Sequence, residues 1–190
     1  MYKMVVKATK MAQNIVRQVV TQNDCVVDAT LGKGSDTLFL MGLVPQGLVY
    51  SFDIQKTAVE NFKKLHGEVE NVCLIQDGHE NMDRHIKEIP KAIMFNLGYL
   101  TGGDESIITK SETTIEALKK SLQLLSPGGL VSIVSYIGHM GGQDEAEKVL
   151  QLVKKLKPRE FAVMETRFKN VINAPFLIII EKNDNYHGGI

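Results

Sequence analysis

Apolar positions recur along the chain in two periods, and their alternation predicts the fold. From about Lys3 to Thr21, Val5, Val6, Met11, Ala12, Ile15, Val16, Val19 and Val20 fall mostly three and four apart, with Lys7, Lys10, Asn14, Arg17 and Gln18 between them. This is the spacing of an amphipathic helix, expected to pack on the first strand. Short apolar runs then alternate with helix-length segments. Strands are expected at Val26-Val27, Leu48 to Asp53, Val72 to Ile75, Ala92 to Phe95 and Leu130 to Tyr136. Helices are expected at Asp36 to Val44, Gln55 to His66, Thr109 to Leu125 and Asp144 to Lys157. Pro45-Gln46-Gly47, Gly67 and Ser126-Pro127-Gly128-Gly129 stop three of these helices. Glu80 to Pro90 reads as a polar segment and Thr101 to Asp104 as a loop. Phe161 to Arg167 and Phe176 to Glu181 are two further strands, joined by a loop that holds Asn170, Asn173 and Pro175, and their short separation favours an antiparallel pair. Five β-α units followed by a hairpin imply an α/β fold: a Rossmann-like sheet, mostly parallel, with a terminal antiparallel hairpin and helices on both faces. Residues 1–190 read as one domain, with 1–22 as a helix laid on the sheet.

Composition narrows the class. The 190 residues are 44% hydrophobic and 23% charged, enough for one full core, and the net charge is zero. A neutral chain exerts no global pull on nucleic acid or anionic lipid, so any RNA contact rests on a local patch. No apolar run approaches the roughly 20 residues that span a bilayer, and no secretory signal is evident, which places the protein in the cytoplasm. Cys25 and Cys73 lie in apolar runs and are expected to be reduced, buried core thiols.

The chemistry concentrates where the first strand ends. Val26-Val27-Asp28-Ala29-Thr30-Leu31-Gly32-Lys33-Gly34-Ser35-Asp36-Thr37 reads as strand, tight loop and helix start. Gly32 and Gly34 let a ligand approach backbone, and Asp53, at the end of the second strand, is placed to take the two hydroxyls of a ribose. A dinucleotide loop would carry a third glycine where Thr37 stands. Asp28 and Asp36 make the surroundings acidic, which suits an amino-acid ammonium and a sulfonium better than a pyrophosphate. S-adenosyl-L-methionine fits, and the terminal antiparallel strand agrees with a methyltransferase sheet. The alternative is that these are ordinary strand-end acids and turn glycines of an α/β protein. Asp77, ending the third strand, is placed to hydrogen-bond the adenine amine, with His79 in the same pocket or in solvent.

Asn96 and Tyr99 fall at the Asn-x-x-Tyr spacing used by amino-group methyltransferases; a polar strand end with a half-buried tyrosine is the competing view. Asn96 and the Leu97 carbonyl can accept hydrogen bonds from an amine and aim its lone pair, while Tyr99 can stack on a base. His139, among glycines at the end of the fifth strand, is the general-base candidate, with an RNA-contacting or loop-shaping role as the alternative. Tyr136 is placed to support the same pocket. Asn170 and Asn173 suit a base edge or a plain turn. Lys154, Lys155, Lys157, Arg159, Arg167 and Lys169 suit phosphates or bare solvation. Histidines 66, 79, 85, 139 and 187 show no metal-ligand spacing, so no metal is expected.

On these residues the chain resembles the class I S-adenosylmethionine-dependent methyltransferases, and within them a small bacterial family labelled "putative rRNA methylase". The resemblance is carried by Asp-Ala-Thr-Leu-Gly-x-Gly-x-Asp-Thr at 28–37, Phe-Asp-Ile-Gln at 52–55, Phe-Asn-Leu-Gly-Tyr-Leu at 95–100, Ser-Pro-Gly-Gly at 126–129, Tyr-x-Gly-His-x-Gly-Gly at 136–142 and Ala-Pro-Phe-Leu-Ile-Ile-Ile-Glu-Lys at 174–182. It implies a cofactor site of Asp28, Thr30, Gly32, Gly34, Asp36, Thr37, Asp53, Gln55, Asp77, His79 and Asn96, and a catalytic set of Asn96, Tyr99 and His139. It also implies N-methylation of the 5-aminomethyl group of a (2-thio)uridine at tRNA position 34. Ribosomal RNA, a small molecule, or a non-catalytic cofactor-binding module are the alternatives. Lys33 stands where the family commonly has asparagine, and Thr101 where it has proline. A chain this small, without an RNA-binding appendage, has to grip an anticodon stem-loop with its own face or with that of a homodimer.

Overall fold

The computed structural model describes residues 5–98, 108–138 and 140–185. The elements run α1 (Ala8–Val19), β1 (Cys25–Asp28), α2 (Ser35–Leu43), β2 (Leu48–Phe52), α3 (Lys56–His66), β3 (Val72–Ile75), α4 (Met82–His85), β4 (Pro90–Asn96), α5 (Ser111–Leu124), β5 (Leu130–Ser135), α6 (Gly142–Val153), β6 (Phe161–Thr166) and β7 (Phe176–Lys182). A 3-10 turn at His79–Asn81 leads into α4, so the expected polar segment is in part helical. The loop read at Thr101 to Asp104, along with Tyr99 and His139, lies outside the described residues.

One seven-stranded sheet holds the strands in the order β3-β2-β1-β4-β5-β7-β6. β3 through β5 are parallel to one another, while β7 runs antiparallel to both β5 and β6. The period-two side-chain alternation splits each central strand between two cores. Val26, Val49, Ala92, Met94, Val134 and Ile179 face one layer with α1 and α2. Val27, Phe52, Ile93, Phe95, Ile133 and Ile180 face the other with α5 and α6. Because both faces are covered, the strands read as continuous apolar runs in the sequence.

Two placements differ from the sequence reading. α1 lies across β4, β5 and β7, not on β1. Its buried stripe, Ala8, Ala12 and Val16, is small enough to sit on the flat middle of the sheet. Cys73 is exposed, on the edge strand β3, whereas Cys25 is buried as expected. No described helix is long and apolar enough to cross a membrane.

The strand order reverses between β1 and β4. Connections from these two strands leave in opposite directions, which opens a crevice at their C-terminal ends.

Candidate active site

A cleft of about 720 Å³ occupies this crevice. Its floor is the turn after β1, stitched to both neighbouring strands: Ala29 N–H donates to the Met94 carbonyl and Leu31 N–H to that of Phe52, each at 2.8 Å. Gly34 (φ 80°) caps α2 in the left-handed region, and a Cβ there would stand 2.3 Å from the Phe62 ring, so the turn closes only on glycine.

Thr30, Gly32, Asp36, Asp53, Gln55, Asp77, His79 and Asn96 all line the cleft, drawn together from four strand ends. Asp28, Gly34 and Thr37 do not; they lie behind its wall. Asp28 is buried and accepts from Thr30 N–H at 3.0 Å and from the Thr37 hydroxyl at 2.7 Å, and Thr37 also meets Ser51 Oγ at 2.7 Å. The three therefore shape the loop from beneath.

Asp53 and Asp77, both on the cleft lining, differ in their partners. Asp53 accepts Gly32 N–H (2.9 Å) on one oxygen and Gln55 N–H (2.8 Å) on the other, which fixes the carboxylate and leaves lone pairs on each oxygen. Asp77 accepts from Gly78 N–H, the Asn81 amide and His85 Nε2, all at 2.8 Å, and the His85 bond is the first cause holding its carboxyl below the usual range. At the start of α2, burial and then the neighbouring Asp36 push the Asp28 carboxyl up to about 7, and burial raises Asp36 as well. Two acids packed together in this way repel when both are ionised, which favours a cation beside them.

Two buried acceptors on the cleft lining have no partner among the described residues. His79 Nδ1 lies 3.2 Å from the Ala29 carbonyl, and burial lowers the ring's pKa. The neutral ring therefore carries its proton on Nδ1, leaving Nε2 as an acceptor that nothing satisfies. Asn96 donates its backbone N–H to the Thr30 hydroxyl (2.8 Å), yet its side-chain Oδ1 is likewise unpaired. Buried acceptors left open in a cleft fit a ligand that brings N–H groups.

Other lining residues were not singled out in the sequence as site residues. Ile108, Thr109, Lys110 and Thr113 enter from the start of α5, and Pro175 enters beside Asn173 from the β6–β7 loop. Gln13 of α1 also reaches the site, its amide donating to Asp36 Oδ1 at 2.8 Å. A polar residue beside a helix's apolar stripe was its only signal. The basic set is divided. Arg167 and Lys169 follow β6 at the cleft end, whereas Lys154, Lys155, Lys157 and Arg159 follow α6 at the opposite end of the sheet. Among the described residues, no three His, Cys, Asp or Glu side chains gather as a metal site.

A sheet of this order, with an acid ending β2 and a glycine turn after β1, defines an S-adenosylmethionine-dependent methyltransferase. The family described as "Putative rRNA methylase" matches residues 49–182, and the chain belongs to it. It is 39% identical, over 94% of its own length and 70% of the relative's, to the tRNA (mnm(5)s(2)U34)-methyltransferase, chloroplastic, of Arabidopsis thaliana. A solved putative rRNA methylase from Clostridium thermocellum is 43% identical with a TM-score of 0.91, covering 95% of this chain and 100% of that one. SMU.1697c, a putative methyltransferase from Streptococcus mutans solved in complex with SAH, is 37% identical with a TM-score of 0.85, covering 94% and 99%.

Proposed function

We propose that this methyltransferase N-methylates the 5-aminomethyl group of (2-thio)uridine at position 34 of tRNA, in the cytoplasm, as a single chain or a homodimer. The observation that carries the reading is the buried Oδ1 of Asn96 at the end of β4, unpaired among the described residues. An amine has N–H groups to offer such an acceptor, whereas a ring carbon or a ribose oxygen losing its only proton does not. The 39% identical relative named for this nucleoside supports the same choice.

S-adenosylmethionine, when bound, supplies an electrophilic methyl carbon. Asp53 suits its ribose hydroxyls, Asp36 its ammonium, and Asp77 with His79 its adenine edge; Asp28, Gly34 and Thr37 hold the loop that carries these contacts. Asn96 Oδ1 and the Leu97 carbonyl accept from the substrate amine and orient its lone pair, and orientation of this kind supplies much of the rate. Tyr99 as a stacking platform and His139 as a proton acceptor complete the proposed catalytic set.

The test is methyl transfer from labelled S-adenosylmethionine to tRNA and ribosomal RNA from a strain lacking this protein, followed by nucleoside mass spectrometry. Label is expected in tRNA as a 5-methylaminomethyl uridine. Label in ribosomal RNA, the substrate in the family's description, or cofactor binding without any labelled RNA, overturns the assignment. Asn96→Ala is expected to lower kcat by roughly 100-fold, a larger loss than in its affinity for S-adenosylhomocysteine.

A further inference from the structure

We propose that Glu145, which does not line the cleft, is a positioning residue for the transfer: through the hydroxyl of Thr109 it fixes Gly98, and with it the acceptors of Asn96 and Leu97. This rests on those two residues receiving the substrate amine, as proposed above.

Three consecutive backbone N–H groups at the end of β4 are tied to three different parts of the fold. Asn96 N–H is held by Thr30 of the glycine turn at 2.8 Å, Leu97 N–H by the Val134 carbonyl of β5 at 2.9 Å, and Gly98 N–H by Thr109 Oγ1 at 3.0 Å. The first two anchors are a short loop and a central strand. The third is a rotatable hydroxyl.

Gly98 needs that anchor most, since its φ of 145° lies where only glycine is comfortable and no side chain restrains it. Thr109 returns its own N–H to the Gly98 carbonyl at 2.8 Å, so both main-chain groups of Gly98 are bonded to Thr109, one to its backbone and one to its hydroxyl. A hydroxyl donates one proton only. Thr109 gives that proton to Glu145 Oε2 at 2.8 Å, which turns an oxygen lone pair toward Gly98. Glu145 Oε1 takes the Thr114 hydroxyl of α5 at 2.6 Å, so the carboxylate is braced from a second helix.

Glu145 is 1% exposed in the first turn of α6, where the helix N-terminus favours an anion. A hydrocarbon side chain would pack that position at less desolvation cost. What the carboxylate adds is direction: it accepts from both threonines at once and donates to neither.

The experiment compares Glu145→Gln, Thr109→Val, Thr109→Ser and the Glu145→Gln/Thr109→Val double variant with wild type, well below their unfolding temperatures. Three quantities are read: exchange of the Gly98 amide proton by NMR, kcat and KM on tRNA from the deficient strain, and the Kd for S-adenosylhomocysteine. Thr109→Val and Glu145→Gln are expected to speed Gly98 exchange and to lower kcat by about tenfold each, with the Kd for S-adenosylhomocysteine unchanged. Thr109→Ser should behave as wild type, and the double variant should be no worse than Thr109→Val, because the two residues form one chain of bonds. Unchanged Gly98 exchange in Thr109→Val overturns the proposal. So does a parallel loss of kcat and cofactor affinity, which marks general scaffolding, or losses that multiply in the double variant. Exchange at Gly98 needs no substrate, so wild-type protein that labels no tRNA sinks the substrate assignment separately from the latch.

Discussion

Asp28 shows how a residue in a ligand-binding motif works from behind the wall. Its carboxylate is consumed by Thr30 and Thr37, and its link to the cleft is electrostatic, through the neighbouring Asp36 that raises it. Burial and Asp36 raise its folded-state pKa from 3.8 to about 7, so the folded protein holds a proton that the unfolded chain has already released. The folded state binds more protons across that interval, and the contribution of Asp28 to stability therefore falls as pH rises from about 4 to about 7. Denaturant unfolding of wild type and Asp28→Asn over this range is expected to show the wild-type advantage shrinking with pH. A difference that stays flat or grows removes the assigned shift.

Among the elements, α1 has the role that is least evident from its position in the chain. The helix precedes the glycine turn, packs on the far strands β5 and β7, and yet places Gln13 against Asp36. A hydrogen bond to a charged group contributes about 1.5–3 kcal/mol. Gln13→Ala is accordingly expected to weaken S-adenosylhomocysteine binding by about tenfold while leaving the fold intact, since Gln13 is only half-buried and the apolar stripe is untouched. Titration calorimetry beside a thermal melt checks both halves, and an unchanged Kd would confine α1 to packing.

For the molecule as a whole, charge placement matters more than net charge, which is zero. The basic residues divide between the two ends of the sheet, and the cleft end carries Lys33 and Lys110 on its lining in addition to Arg167 and Lys169. Arg167 is partly committed, stacked over the Phe176 ring and paired with Glu165. If the anticodon stem-loop sits over the cleft, Lys33→Ala and Lys110→Ala should each weaken tRNA binding and flatten its salt dependence by about one phosphate contact. Lys155→Ala, at the opposite end, should change neither. Equal effects from all three variants would place the RNA elsewhere.

The sequence by itself determined the element order, the parallel sheet with its terminal hairpin, and the glycine loop between β1 and α2 that floors the cleft. Those features follow from periodicity and backbone chemistry over a few adjacent residues: the strand-helix alternation, Gly34 where only glycine closes the turn, and Asp53 at a strand end. What only the tertiary structure decided depends on residues far apart in the chain. Asp28 and Thr37 bond to each other and leave the cleft to Asp36. His79 keeps an open acceptor because Ala29, 50 residues earlier, takes its other nitrogen. Glu145 reads in sequence as one of two acids in a helical first turn, and only folding buries it against Thr109 and Thr114, where its oxygens orient the hydroxyl that holds Gly98. Local pattern records which face a residue presents, but the partner it finds there is set by chain crossings that bring the starts of α5 and α6 beside the C-terminal end of β4.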